Sequence, residues 1–413
     1  MSDQEVRATA EHVARTSYGR LVAILAAATG DLESAEDAVS VAFERALTVW
    51  PHAGIPDNPE GWLVTVARNH QRDVWKSSAH RTVMPFEEQR TEAREMPART
   101  VAAAMENLDP DAIPDKRLAL LFVCAHPAIE PAIRTPLMLQ AVLGFDATQI
   151  ARAFATPRTA MAQRLVRAKR RIKNARIPFL VPDRAAMPER LPPVLEAIYG
   201  CFAITTRQDS LAGEAQYLAI TLAALLPSDA ETWALAALIT LSLARAPAQL
   251  NGFVPLEEQD VTQWDARMIA EGESYLRRAT RPGNPGRFQL EAAIQAVHCD
   301  RARTGLTDWA ALETLYAALL SVAPSLGAQV AHATVIGHVA GASAGLALLD
   351  GIAELAVEFQ PYHAARAELL RRAGRAAEAA RSYASTLELT DEPEVREYLQ
   401  ARLRTLRQVA HRG

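Results

Sequence analysis

The sequence predicts an all-α protein of two or three domains, and three observations lead there. Ala, Leu, Arg and Glu dominate a chain of 413 residues that is 49% hydrophobic and 22% charged. Apolar residues recur at spacings of three and four, and alternating β-branched runs are hard to find. Proline and glycine fall between the periodic stretches, where they end helices. The length suffices for more than one buried core, and the composition is that of folded rather than disordered chains.

No apolar run approaches the roughly 20 residues that cross a bilayer. The first residues, MSDQEVR, lack the basic-then-apolar order of an export signal. A cytoplasmic location with no membrane partner is therefore expected. Cys124, Cys201 and Cys299 are widely spaced and odd in number, which fits reduced thiols and no disulfide.

The net charge of −4 argues against a surface coated with nucleic acid, but the charge is unevenly placed. Nine basic residues and no acid lie between Ala147 and Arg176. One basic stripe on an otherwise acidic chain suits a protein that offers one element to phosphates and other faces to protein partners. The plainer reading of such a run is a solvated helix face.

Within that stretch, Asp146 followed by Gln149 has the form of a capping box, so a short helix is expected to start there and to turn Ile150, Ala153 and Phe154 inward. Thr156 then reads as a cap and Pro157 as the first residue of a second helix. Along it Met161, Leu165, Ala168 and Ile172 form the buried stripe, leaving Arg158, Gln163, Arg164, Arg167, Arg170 and Arg171 to project elsewhere. Two helices joined by so short a turn form a helix-turn-helix, whose second member can enter a major groove; Gln and Arg suit bidentate reading of base edges. A helical hairpin in a repeat protein is the structural alternative.

Nearer the start, residues 31–51, DLESAEDAVSVAFERALTVWP, carry an apolar stripe of Ala35, Val39, Ala42, Phe43, Ala46 and Leu47, with Glu36, Asp37, Ser40 and Glu44 largely off it. Residues 58–73, NPEGWLVTVARNHQRD, follow a loop marked by Pro56, Pro59 and Gly61, and turn Trp62, Leu63, Val66 and Ala67 inward. The first segment resembles the polymerase-binding helix of sigma region 2, and the second the promoter-melting helix after it. With a region 4 helix-turn-helix near residue 150, the layout resembles an extracytoplasmic-function sigma factor of the sigma-70 family.

That resemblance implies a non-catalytic initiation subunit of DNA-directed RNA polymerase, needing no cofactor or metal. Its partners would be core polymerase, through the clamp helices and flap of the large subunits, and promoter DNA. Asp37, Ser40 and Glu44 would meet the clamp helices, although Ser40 stands where Gln is common. The loop from His52 to Asn58 would capture a flipped base of the minus-10 element, and Asn58, Trp62, Arg68, Asn69, Arg72 and Lys76 would hold the opened strand. Arg81 would extend that cationic surface, and Val74-Trp75-Lys76 replace an expected Arg pair. For the minus-35 element the family's base-reading positions fall on Ala162, Gln163 and Arg167, with Arg158 beside them. Its phosphate contacts fall on Thr159, Arg164, Lys169 and Arg170.

Residues 117–129, RLALLFVCAHPAI, resemble the start of region 4 in the subgroup with a tetratricopeptide-like (TPR-like) extension. Cys124 and His126 lack the second pair a zinc site needs, and read as a core thiol and a cap or loop histidine. Pro178, Pro182, Pro188, Pro192 and Pro193 read as a linker. The expected divisions are 1–90 (region 2), 91–114 (linker), 115–178 (region 4), 179–190 (Pro-rich linker) and 191–413 (helical repeat).

That last part breaks into helix-sized pieces near 191–204, 210–225, 229–245, 264–280, 288–302, 308–321, 328–340, 343–358 and a subdivided 361–412. Residues 362–389 resemble one tetratricopeptide hairpin, with Gly374 at the turn. Residues 253–265, FVPLEEQDVTQWD, and Thr307-Asp308-Trp309 match signatures of the same subgroup; capping and packing also account for them, with Trp264 and Trp309 buried. Such a stack offers a groove to a protein or peptide partner, or packs on the sigma domains.

Two rival classes remain. Gly341-Ala-Ser343-Ala-Gly345 satisfies a hydrolase elbow pattern, but that motif needs a strand before it and helical sequence flanks it here. A helix-turn-helix regulator with a helical ligand- or protein-sensing half explains the basic stripe and leaves the region 2 resemblance unexplained.

Overall fold

The computed structural model describes residues 3–81 and 113–410, apart from short breaks at 155, 176, 178, 180–186, 205–210, 251 and 281–283. Among the described residues all regular structure is helical and no strand occurs, as the composition predicts. Arg81's side chain lies outside the described residues. The chain divides into two compact units, Met1–Leu222 and Ala223–Gly413.

In the first unit α1 (Asp3–Thr29), α2 (Leu32–Ala53) and α3 (Pro59–Arg81) pack on one another. Asp31 caps α2 by accepting from the Ser34 amide at 3.2 Å, and Asn58 Oδ1 accepts from the Gly61 amide at 2.9 Å at the start of α3. The α2 core face is Leu32, Ala35, Ala38, Val39, Ala42, Ala46 and Trp50. Leu47 departs from the expected stripe and is 48% exposed. The helix keeps its period of 3.6 to the end, so the stripe drifts from Ala46 to Trp50, and Leu47 leaves the core. Leu63 and Ala67 of α3 are buried, with Trp62 and Val66 half-buried.

Four further helices, α4 (Ile113–Cys124), α5 (Pro131–Ala141), α6 (Ala147–Ala153) and α7 (Arg158–Asn174), complete the core with α8 (Met187–Ile204), which packs on α4 and α5. A side chain at Gly19 would put its Cβ 1.6 Å from the Val142 carbonyl oxygen, so α1 passes the end of α5 only because that position is glycine. Pro188 falls in the first turn of α8, where no amide partner is lost, and Pro192 and Pro193 follow inside the helix.

The capping box at α6 is present: Asp146 accepts from the Thr148 and Gln149 amides at 2.7 and 2.9 Å, and the Gln149 side chain accepts from the Asp146 amide at 3.0 Å. Asp146→Ala should cost about 1 kcal/mol in a urea melt of the whole chain, since it frees two amides of a helix only seven residues long. The inward residues are Ile150 and Ala151. Ala153 and Phe154, expected inside, are exposed, because the helix stops at Ala153 and Phe154 adopts a non-helical cap conformation. Thr156 does not cap α7; its hydroxyl donates to the Phe154 carbonyl at 3.0 Å. Pro157 is the residue before the helix rather than its first member, and α7 starts with no side-chain cap.

The second unit holds α10 (Ala230–Leu243), α11 (Ala266–Ala279), α12 (Arg287–Thr304), α13 (Trp309–Val322), α14 (Leu326–Val339), α15 (Ala342–Asp350), α16 (Gln360–Arg372), α17 (Ala376–Glu388) and α18 (Pro393–Ala410). The unit boundary falls inside α9 (Leu211–Leu225). From α10 onward most helices pack on the next, and α10 with α12 and α14 with α16 touch across one intervening helix. Gly374, with φ at +74°, turns α16 into α17. The expected piece 343–358 stops at Asp350 and gives way to a short 3₁₀ turn, Ala353–Leu355. Asp308 is the cap of α13, accepting from the Ala311 amide at 2.9 Å, while Trp309 is only half-buried and stacks on His338 at 3.5 Å. Trp264 is buried, at 5% exposure.

Candidate nucleic-acid and polymerase interface

Three helices of the first unit carry the residues singled out above. On α2, Asp37, Ser40 and Glu44 are exposed, because the core takes the opposite face. Ser40's hydroxyl donates to the Glu36 carbonyl at 2.9 Å, so it is bonded along its own helix. Glu36 lies to one side of that face and meets α7, where Lys169 Nζ is 2.6 Å from Glu36 Oε2. A second pair, Lys173 to Asp31 at 2.7 Å, lies one helical turn further along α7. Burial outweighs the pull of Lys169 and holds the Glu36 carboxyl above the usual carboxylate range.

Met161, Leu165, Ala168 and Ile172 are the buried residues of α7, as its periodicity predicts. Its cations divide into two sets. Arg158, Arg167 and Arg170 are exposed together with Thr159 and Gln163, and Ala162 is half-buried beside them. Arg164 lies 3.4 Å from Glu130, Arg171 donates to the Ala128 carbonyl at 3.3 Å, and Lys169 and Lys173 are held by α2. An exposed row of Gln163, Arg167 and Arg170, with Arg158 exposed at the start of the helix and no acid along it, can approach polyphosphate and base edges.

On α3, Asn58 is exposed and serves as a cap. Trp62 stands edge-on to Trp50 at 5.5 Å. Asn69 accepts from Arg72 at 2.8 Å, and Lys76 and Trp75 are exposed. Arg68 is half-buried with no partner at Nε, and that desolvation lowers its pKa. The preceding loop exposes His52, Asp57 and Asn58. Apolar Phe43, Leu47 and Pro51 of α2 line a groove with Val6 and Ala10 of α1.

The remaining candidates resolve simply. Cys124 is wholly buried, which pushes its thiol up, and His126 accepts from the Ala128 amide at 3.1 Å as a local cap. All three cysteines are buried thiols outside any disulfide. Among the described residues no group of three His, Cys, Asp or Glu could hold a metal ion. Ser343 is exposed in the first turn of α15 and follows helix α14, so the strand an elbow requires is replaced by a helix. Among the described residues no helix is long and apolar enough to cross a membrane.

Sequence reasoning missed the pairing of Lys169 with Glu36, for which opposite charges 133 positions apart give no local signal. It also missed the ties that residues 257 and 258 make with α14 and α18.

An all-helical unit with this α1–α3 bundle belongs to a class with known members: residues 13–81 match the sigma-70 region 2 family. This region 2 match supports a sigma factor that works with core RNA polymerase at promoter DNA in transcription initiation. Over 384 residues it is 34% identical to an uncharacterised protein of Rhizobium meliloti (strain 1021), an alignment that covers 90% of each chain. Residues 190–280 match a family of unknown function, DUF6596. No solved structure matches.

Proposed function

We propose that this chain is a sigma factor of the extracytoplasmic-function type, with activity regulated through a TPR-like C-terminal part. In this reading residues 1–90 act as region 2: Asp37, Ser40 and Glu44 dock on the clamp helices, and Asn58, Trp62, Arg68, Asn69, Arg72 and Lys76 hold the melted minus-10 strand. Residues 115–178 act as region 4, with α6 and α7 as a helix-turn-helix. Gln163 and Arg167 read minus-35 bases from the exposed row, beside Ala162, while Arg158, Thr159, Arg164, Lys169 and Arg170 approach phosphates.

The observation that carries the proposal is the pairing, in one unit, of a region 2 bundle whose α2 exposes an acidic face with an α7 that exposes Gln163 and three arginines. An acidic face suits a basic protein partner and an acid-free cationic helix suits DNA, which is the division of labour that initiation needs. Engagement of Lys169 with Glu36 adds a condition. Lys169 reaches a phosphate only after α7 has left α2, so the reading requires the two helices to separate when polymerase and promoter are bound.

The test is run-off transcription with purified chain, core polymerase and a promoter drawn from the chain's own regulated genes. A transcript that requires both the chain and the core is expected. Operator binding that is indifferent to core polymerase would instead make the chain a helix-turn-helix regulator.

A further inference from the structure

Residues 252–265 join α10 to α11, yet between their ends they lie across helices much later in the second unit. Phe253 sets its ring edge-on to Tyr398 of α18 at 5.2 Å. Glu257 meets His338 Nε2 of α14 at 3.0 Å. Glu258 accepts from the Tyr398 hydroxyl at 3.3 Å and from the Arg402 guanidinium on the same helix. The Gln259 carbonyl accepts from Arg301 of α12 at 2.9 Å, and the same guanidinium covers the Trp264 ring. His338 first, then the charges of Arg372 and Arg301, hold the Glu257 carboxyl below the usual carboxylate range.

The receiving side chains share an origin. They come from α12, α14, α16 and α18, each the first helix of a successive hairpin or the helix that ends the stack. The face that the segment covers presents Arg301, His338, Tyr398 and Arg402, with the charge of Arg372 acting on Glu257, and of these four helices α14 packs on α16. Without the connecting segment it would be a cationic strip with aromatic edges. The segment supplies what the strip lacks: an aromatic ring followed, four and five residues later, by adjacent carboxylates.

The geometry points to a peptide-binding face on the second unit that the chain fills with its own residues 253–259. The partner it fits is a short acidic segment of another protein, with an aromatic residue ahead of paired carboxylates carried on one 3₁₀ turn like Leu256–Glu258, entering as the internal strap leaves. The strap is suited to exchange. Its two glutamates are about half exposed, 52% and 48%, and ion pairs so wet contribute only about 0–1 kcal/mol each. Beyond those pairs it is held by Phe253 against the core, by buried Gln259, and by its tether, which sets a local concentration on the order of millimolar that an incoming segment must match.

A fluorescein-labelled peptide with the sequence of residues 253–259 tests this by anisotropy against the full-length protein. The native chain should bind it weakly. The full-length variant E257Q/E258Q loosens the strap without changing its shape, and should bind the peptide roughly tenfold more tightly by vacating the face. Adding R402Q to that variant should remove the gain, and a peptide with Gln at both glutamates should bind neither protein. Equal affinity of native chain and variant, no binding to either, or indifference to the peptide's carboxylates overturns the inference. Should E257Q/E258Q lose its fold, hydrogen exchange on the native chain decides instead. Excess peptide must speed exchange of the amides of residues 253–259, and unchanged rates overturn the inference equally. None of these readouts involves polymerase or DNA, so failure here is separable from failure of the sigma reading.

Discussion

Lys169→Met is expected to destabilise the protein by about 3 kcal/mol, whereas the double variant Lys169→Met/Glu36→Leu should return to within about 1 kcal/mol of the native chain. The two side chains are 11% and 14% exposed, and Glu36 Oε1 is already buried with no partner. Removing the lysine alone leaves a carboxylate out of water with nothing to offset its lost hydration. Removing both charges takes that cost away and fills the gap with apolar atoms. Urea melts of the four members of this cycle measure the coupling directly. If the single and double variants lose equally, packing of the lysine stem rather than charge holds the helices, and the electrostatic account fails.

The same pair makes the penalty depend on pH. Burial raises the Glu36 pKa in the folded chain, so the folded state binds the proton more tightly than the unfolded one. Stability from this group therefore grows as pH falls through the raised pKa toward the ordinary glutamate value, and is absent well above it. In Lys169→Met the carboxyl is free to protonate, so the deficit measured near neutrality should shrink on mild acidification.

Arg167→Glu is expected to weaken promoter binding by the polymerase-bound chain roughly 100-fold at fixed salt, combining loss of a bidentate base contact with repulsion from nearby phosphates. The side chain is exposed on α7, away from the buried residues Met161, Leu165, Ala168 and Ile172. Thermal stability and association with core polymerase should therefore stay as they are. A gel-shift titration with the assembled polymerase, beside size-exclusion of the binary complex, separates the two effects. Unchanged promoter affinity would remove Arg167 from the DNA contact and with it the proposed role of α7. Loss of core association as well would mean the substitution had disturbed the unit rather than one interface.

Much of this architecture was legible in the chain. Composition and apolar spacing carry the all-helical fold, because burial of one stripe per 3.6 residues is a local property that any segment displays. The core positions of α7, the capping box at Asp146 and the turn at Gly374 came from the same source. Misreadings gathered at element ends. Phe154, Thr156 and Pro157 surround a junction where a single change of backbone conformation reassigns each role, and Leu47 sits where a drifting stripe leaves the core.

By itself the sequence determined the all-helical class, the buried face of α7, most of that of α2, and the acidic and basic character of these two helices, since each follows from residues within a few turns of one another. Only the tertiary structure decided which charges are spent inside the protein. Lys169 lies against Glu36, Lys173 against Asp31, and Glu257 and Glu258 against helices α14 and α18. Coulomb attraction acts through space and not along the chain, so pairs 81 to 144 residues apart leave no periodic trace until packing brings them together.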